Sequence, residues 1–347
     1  MNSAHLNHPH TNLDRSTKSV GTVSHAHLTT PSRPLPISMN DVAHLAQMWR
    51  PEARLHAVLG SWENFVFELI KGDERVILRM TEDHRRSKDE VGAELNLVNS
   101  LASNGLRVPR VLSFADGRQI VSFTHDGTTY WCCLFGKISG EQMSASSVLA
   151  SEASIESWGE LIGRLHISMS VSSTSGLPRP FWRDNPLLRT ALRDHRNETV
   201  LSETVDSIVS ELSSLSVARD DFGLVHGDLH GRNVLQSRKG DLAIIDFDDC
   251  SYHWYLYDVA VSLVWLFRSG GEYDRVRDSL LRGYKRQRPA YRYADRLIDQ
   301  LAFLRNALDH ALAMHHYRRD PISFSSLRGR AMKLEHYLQL QMSYVLN

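Results

Sequence analysis

The sequence predicts an α+β fold of two lobes, in which a small sheet with one helix precedes a larger and mainly helical part. Strand-like runs separated by short polar turns come first, at residues 55–59, 65–70 and 75–80. After Gly140 the apolar spacing becomes helical, and from Tyr257 onwards nearly every stretch has a helical pattern. We therefore expect the two lobes to meet close to residues 135–140.

The small lobe is predicted to contain a helix from Ser87 to about Ser103. Ser87 and Glu90 have the spacing of a capping box, and Asn104-Gly105 is typical of a helix end. Two further strand-like runs follow, at residues 119–124 and 129–135. These elements complete a sheet lobe, for which we predict the bounds 39–136.

The large lobe is predicted to span residues 137–347. Trp158, Leu161, Ile162 and Leu165 recur at i, i+3, i+4 and i+7, and residues 200–217 repeat this pattern. Residues 223–249 instead have a strand-loop-strand pattern.

Composition limits the classes of partner. Lys and Arg together number 40, as do Asp and Glu, so the chain lacks the basic excess of a protein that binds nucleic acid or an anionic membrane. No apolar run approaches the roughly 20 residues that span a bilayer, and the N-terminus lacks the apolar core of a signal peptide. Three cysteines are typical of a reducing compartment. We expect a soluble, cytoplasmic protein with a mobile polar tail at residues 1–38.

The strongest chemical signal lies in the strand-loop-strand segment. Asp228 is followed five residues later by Asn233, and the next apolar strand ends at Asp246. Phosphoryl transfer from ATP needs a carboxylate beside the acceptor hydroxyl and oxygen ligands for Mg²⁺. An Asp, an Asn and a second Asp on one hairpin-like frame supply both. His226, Asp228 and His230 alternate and could instead be metal ligands of a hydrolase, but that hypothesis leaves Asn233 and Asp246 unexplained.

These residues resemble the motifs of the aminoglycoside phosphotransferase/choline kinase superfamily, which has a protein-kinase-like fold. The similarity lies in His226-Gly227-Asp228 with Asn233, and in Ile245-Asp246-Phe247. The resemblance implies that Asp228 orients or deprotonates the acceptor hydroxyl and that Asn233 and Asp246 bind Mg²⁺. It also implies that His226 braces the loop and that Asp258 holds the loop backbone.

The small lobe resembles the same superfamily. Residues 59–68 are similar to its nucleotide-covering hairpin, as found in the homoserine-kinase-type and stress-response branch, which implies that Gly60, Ser61 and Asn64 contact the nucleotide. Arg79 lies where protein kinases have the phosphate-contacting Lys, and its implied partner is Glu94. The implied hinge, whose backbone would hydrogen-bond adenine, comprises Phe135, Gly136 and Lys137.

The sequence thus predicts an enzyme that moves the γ-phosphoryl of Mg-ATP to a small-molecule hydroxyl. The acceptor would be an amino acid, an amino alcohol, a sugar derivative or an antibiotic. The alternatives are a Ser/Thr protein kinase of the stress-response type and a non-catalytic nucleotide-binding module, and the intact motif positions argue against the module. An excess of Lys and Arg at 268–333 favours a neutral, zwitterionic or carboxylate-bearing acceptor, unless these residues coat outer helix faces. The sequence does not indicate the oligomeric state.

Overall fold

The computed structural model has the predicted α+β architecture of a sheet lobe followed by a helical lobe. The residues that it describes are 35–61, 63–171, 176–185, 188, 199–215, 217–218, 220–289, 294–319 and 325–345. Most of the expected polar tail, residues 1–34, and Trp62 of the nucleotide-covering hairpin lie outside the described residues.

The small lobe is an antiparallel sheet of six strands with two helices. In chain order its elements are α1 (Met39–Trp49), β1 (Arg54–Ser61), β2 (Phe65–Lys71), β3 (Glu74–Glu82), α2 (Lys88–Ser103), β4 (Val111–Leu112), β5 (Ile120–His125) and β6 (Thr128–Gly136). The strand order is β1-β2-β3-β6-β4, and β5 also pairs with β6. The predicted strands and the predicted helix are confirmed, including the capping box between Ser87 and Glu90.

Helix α1 was not predicted, although the sequence contains its start signal. The amide of Asp41 donates to the hydroxyl of Ser38, and the Asp41 carboxylate accepts from the Ser38 amide. Ile37 is buried in the small-lobe core together with Trp49. The last residues of the segment interpreted as a polar tail therefore pack against the lobe.

The large lobe consists of seven helices and short strands within the described residues. Its elements are β7 (Glu141–Gln142), α3 (Ala145–Leu149), α4 (Glu152–Val171), α5 (Thr199–Ser214), β8 (Phe222–Val225), β9 (Val234–Gln236), β10 (Leu242–Ile244), β11 (Ser251–Trp254), α6 (Leu256–Arg268), α7 (Tyr273–Gln287), α8 (Ala294–Arg319) and α9 (Ser325–Val345). Single 3₁₀ turns lie at Trp182–Asp184 and Gly231–Asn233. None of the helices that can be described is both long and apolar enough to cross a bilayer.

Two loops of the large lobe carry the predicted chemistry. The first, here called the HGD loop, comprises residues 226–233 between β8 and β9, and the second, the DFD loop, comprises residues 245–250 between β10 and β11. Strand β8 pairs with β11 and strand β9 pairs with β10, so two short ladders hold both loops. Beneath them, helix α6 is almost entirely buried in the main core.

Candidate active site

The backbone of the HGD loop is anchored to the first turn of α6. The buried carboxylate of Asp258 accepts hydrogen bonds from the amides of His226 and Gly227, each at 2.8 Å. His166 Nε2 lies 3.0 Å from the same carboxylate, and its Nδ1 lies 3.1 Å from the hydroxyl of Tyr284. Burial opposes ionisation of Asp258, but the hydrogen bond and charge of His166, together with His226, outweigh it and lower the Asp258 pKa. The expected tethering role of Asp258 thus has a geometric basis.

A glycine is required within this loop. Gly227 has a φ of +84°, and a Cβ placed on it would lie 2.4 Å from the Asp249 carbonyl oxygen. The loop can therefore pass this close to the DFD loop only without a side chain at residue 227.

Asn233 joins the two loops. Its Nδ2 donates to the backbone oxygen of Asp228 at 2.9 Å and to the Asp228 carboxylate at 3.1 Å. Its own backbone oxygen accepts from the amide of Ile245 at 2.9 Å, and the Ile245 carbonyl lies 3.0 Å from Nε2 of His226. These contacts bring Asp228, Asn233 and the residue preceding Asp246 into one cluster, with His226 bracing both loops.

Asp246 occupies a strained and electrostatically unfavourable position. Its φ is +66°, a left-handed conformation that costs a non-glycine residue about 1–3 kcal/mol. The pKa of its carboxyl is raised to about 8, first because the surrounding protein desolvates it and then because of the Asp248 carboxylate. The nearest basic atom is Nη1 of Arg79, at 4.0 Å, and about half of the side-chain surface remains accessible.

Such a carboxylate fits a divalent cation, which would supply the positive charge that its surroundings lack. Asn233 adds an amide oxygen, and no donor to this oxygen occurs among the described residues. Carboxylate and amide oxygens are ligands that Mg²⁺ accepts. The donor set predicted from the sequence therefore suits the predicted metal.

Arg79 and Glu94 form the predicted ion pair in the small lobe. The two guanidinium nitrogens lie 2.7 and 2.6 Å from the two carboxylate oxygens, and both side chains are almost fully buried. The guanidinium also lies 5.3 Å from the ring centre of Phe135. Glu90 instead caps α2, as expected. This pair holds Arg79 close to Asp246, so the small lobe places a fixed positive charge beside the DFD loop.

The nucleotide-covering turn contacts the DFD loop through Asn64. Asn64 Nδ2 donates to the Asp248 carboxylate at 3.1 Å, and its Oδ1 accepts from the Thr81 hydroxyl at 2.8 Å. Gly60 and the buried Ser61 end strand β1 on the other side of the turn. The turn is therefore fixed against the large lobe by a side chain that the sequence had suggested for nucleotide contact.

The hinge uses its backbone differently from the prediction. The amide of Gly136 donates to Arg110 O at 2.8 Å and the amide of Lys137 donates to Arg75 O at 3.3 Å. The Lys137 ammonium donates to Glu68 at 2.7 Å. These donors are committed within the small lobe, so the next backbone donor along the predicted hinge is the amide of Ile138. The described residues supply no acceptor for the Ile138 amide.

An ionic network that sequence reasoning missed links the two lobes. Arg85 pairs with Glu63 of the nucleotide-covering turn and with the carboxylate of Asp248. Arg86 donates to the backbone oxygen of Asp248 at 3.1 Å and to the Asp249 carboxylate at 3.2 Å. Burial opposes ionisation of Asp248, but Arg85 outweighs it and holds the Asp248 pKa well below its usual range. Asp248 is thus neutralised by arginine in this structure, unlike Asp246.

Arg305 is the second residue that sequence reasoning missed. It extends from α8 to the HGD loop, where Nη2 lies 2.7 Å from Oδ1 of Asp228. Nε2 of His230 lies 3.4 Å from the other oxygen of the same carboxylate. Burial opposes ionisation of Asp228, but His230 and Arg305 outweigh it and lower the Asp228 pKa. Asp228 is therefore an anion at neutral pH, available to accept a hydrogen bond.

Part of the basic excess at residues 268–333 is paired with acidic side chains. Three arginines of helices α7 and α8 pair with acids of α4 and α5: Arg282 with Glu152 and Glu156, Arg286 with Glu156 and Glu160, and Arg296 with Glu211. These pairs lie on outer helix faces. The electrostatic argument for an acceptor that is neutral, zwitterionic or carboxylate-bearing is weaker by these three residues.

Comparison with known proteins agrees with this geometry. Residues 54–297 match the model of the phosphotransferase enzyme family. Amicoumacin kinase of Bacillus subtilis (strain 168) is 27% identical over 209 residues, which cover 59% of this chain and 61% of that protein. The match thus spans about three fifths of the curated relative.

Two solved structures share the fold. An amicoumacin kinase in complex with AMP-PNP, Ca²⁺ and Ami has a TM-score of 0.73 at 22% identity, over 87% of this chain and 94% of that one. A microcompartment-associated aminopropanol kinase has a TM-score of 0.71 at 21% identity, over 89% and 98% of the two chains.

The fold and the cluster define a kinase-like phosphotransferase of two lobes, so the predicted fold class is confirmed. The family model covers well over half of the sequence, and the chain belongs to the phosphotransferase enzyme family. The resemblance drawn from residues 226–247 is thereby confirmed.

Proposed function

We propose that this protein transfers the γ-phosphoryl group of Mg-ATP to a hydroxyl group of a small molecule. The observation that carries the proposal is the contact of Asn233 with Asp228 and with Ile245, the residue before Asp246, while Arg79 lies 4.0 Å from Asp246. Positioning and electrostatic stabilisation account for most of the catalysis in such reactions, and this cluster provides both.

In the proposed reaction the acceptor oxygen forms a bond to the γ-phosphorus while the bond from that phosphorus to the β,γ-bridging oxygen breaks. The electron pair of the broken bond leaves with ADP, and the hydroxyl proton passes to the Asp228 carboxylate. Asp228 orients the hydroxyl, and Arg79 offers a guanidinium to phosphate oxygens beside Asp246. Asn233 and Asp246 would hold Mg²⁺, which when bound neutralises phosphate charge.

The nucleotide would lie under the turn at residues 60–64, with its base against the hinge. Gly60 and Ser61 would face the phosphates. Phe135, Gly136 and Lys137 would frame the base through shape and carbonyl groups, and the amide of Ile138 is the hinge donor that remains uncommitted within the described residues.

The proposed acceptor is a small amine-bearing alcohol. Similar proteins are named for small molecules, and one acts on aminopropanol, which carries both an amine and a hydroxyl group. Three arginines of α7 and α8 are paired with acids on outer helix faces, which weakens the electrostatic case against an acceptor that carries an amine. These similarities favour a small molecule over the protein acceptor of the alternative hypothesis, and the intact cluster argues against a module that only binds nucleotide.

The decisive experiment measures ADP formation from Mg-ATP with a panel of amino alcohols, other hydroxylated metabolites and antibiotics, using a generic protein as control acceptor. Asp228→Asn is expected to lower transfer by about 10²–10⁴-fold while Mg-ATP binding persists. Glu211→Gln, on α5 and paired with Arg296 away from both loops, serves as the matched control. Wild-type turnover in Asp228→Asn would refute the role of this residue.

A further inference from the structure

A side chain from a distant helix holds the proposed base. Arg305 lies on α8, 77 residues after Asp228 in the sequence, and only about a fifth of its side chain is exposed. Its Nη1 donates to Gly227 O at 2.9 Å and its Nη2 donates to Asp228 Oδ1 at 2.7 Å. One planar group therefore bridges the loop backbone and the carboxylate.

The guanidinium is itself fixed from behind. Its Nε lies 3.0 Å from Asp309, one turn later on α8, and Asp309 also accepts from Arg268 at the end of α6 at 2.6 Å. Each of the three guanidinium nitrogens thus has a protein partner. A side chain held in this way loses little further freedom when it orients another group.

The contacts distinguish the two oxygens of Asp228. Oδ1 accepts the 2.7 Å hydrogen bond from Arg305, whereas the contacts of Oδ2 with the described residues are longer, 3.1 Å to Asn233 and 3.4 Å to His230. Because the shortest bond fixes Oδ1, the carboxylate cannot rotate freely, and the more weakly held oxygen is the one presented to a third group.

We infer that Arg305 is a positioning residue of the transfer reaction, which clamps Gly227 O and Asp228 Oδ1 so that Oδ2 receives the acceptor hydroxyl. The inference rests on the proposed function, in which Asp228 receives that proton.

The test compares Arg305→Met and Arg305→Lys with Arg296→Met, which removes an exposed arginine of the same helix. Turnover of Mg-ATP is measured with aminopropanol and with water as acceptors, and Mg-ATP affinity is measured separately by calorimetry. Arg305→Met is expected to lower kcat about 100-fold, with the acceptor KM and the Mg-ATP affinity changed less than about threefold. Arg305→Lys is expected to restore part of kcat, because a lysine keeps the charge but not the planar fork.

Three results would overturn the inference. An unchanged kcat in Arg305→Met would show that the clamp is dispensable. A raised acceptor KM at constant kcat would make Arg305 an acceptor-binding residue. Loss of Mg-ATP affinity or of thermal stability in both Arg305 variants, in step with kcat, would make its role merely structural. A fourth result, no turnover by the wild type and by Arg296→Met with any acceptor of the panel, would contradict the proposed function itself, and the clamp inference would fall with it.

Discussion

The tether between Asp258 and the HGD loop allows a sharp test of how the site is built. In the wild type, the two carboxylate oxygens of Asp258 accept from three donors, namely the amides of His226 and Gly227 and Nε2 of His166. Asp258→Asn keeps the shape of the side chain but leaves one acceptor oxygen for these three donors. Hydrogen bonds to a charged group contribute about 1.5–3 kcal/mol each, and the new amide nitrogen would face at least one buried donor. We expect the loop to lose about 3 kcal/mol of local stability.

Hydrogen exchange followed by mass spectrometry measures this loss where it occurs. A loss of about 3 kcal/mol corresponds to roughly 100-fold less protection of the amides of His226 and Gly227. Asp299→Asn is the control, because Asp299 is also buried but bonds only to the side chains of Tyr273 and Arg277. It should leave protection of the HGD loop unchanged. Native protection of these two amides in Asp258→Asn would refute the tether.

Two further predictions concern the loops. Gly227→Ala should abolish transfer, because the new Cβ would lie 2.4 Å from Asp249 O. The control Gly240→Ala should keep activity, because residue 240 also has a positive φ, of +91°, but its new Cβ would meet no atom within 4 Å. Equal activity of the two variants in a turnover assay would contradict this prediction. Mn²⁺ affinity, measured by electron paramagnetic resonance, should fall about tenfold per pH unit below pH 8 and level off above it, because the proton on Asp246 competes with the ion. Asp246→Asn should remove this slope, and a wild-type affinity that is independent of pH between 6 and 8 would refute the assignment.

The parts of the site that are local in sequence could be predicted. Asp228 and Asn233 lie five residues apart on one loop, and Asp246 lies just after the next strand but one, so two short ladders bring the two loops together. The pairing of Arg79 with Glu94 was implied by the family resemblance, and the strand and the helix that carry the two residues were predicted from the sequence pattern.

The parts that depend on long-range packing could not be predicted. Arg305 is one of many arginines on the C-terminal helices, and only the packing of α8 against α6 brings it to Asp228. Arg85 of the small lobe meets Asp248, 163 residues later in the sequence, because the two lobes pack against each other. The sequence also does not show that the amides of Gly136 and Lys137 donate to Arg110 O and Arg75 O, and binding of adenine by the hinge backbone stays a prediction.

The most direct test is to locate the metal in a crystal of the protein grown with AMP-PNP and Mn²⁺, using the anomalous signal of manganese. The ion should lie about 2.1–2.2 Å from Oδ1 of Asn233 and from a carboxylate oxygen of Asp246. A sole ion bound instead among Glu63, Asp248 and Asp249, whose ligand oxygens lie within 4.8 Å of one another, would contradict the assignment of both ligands.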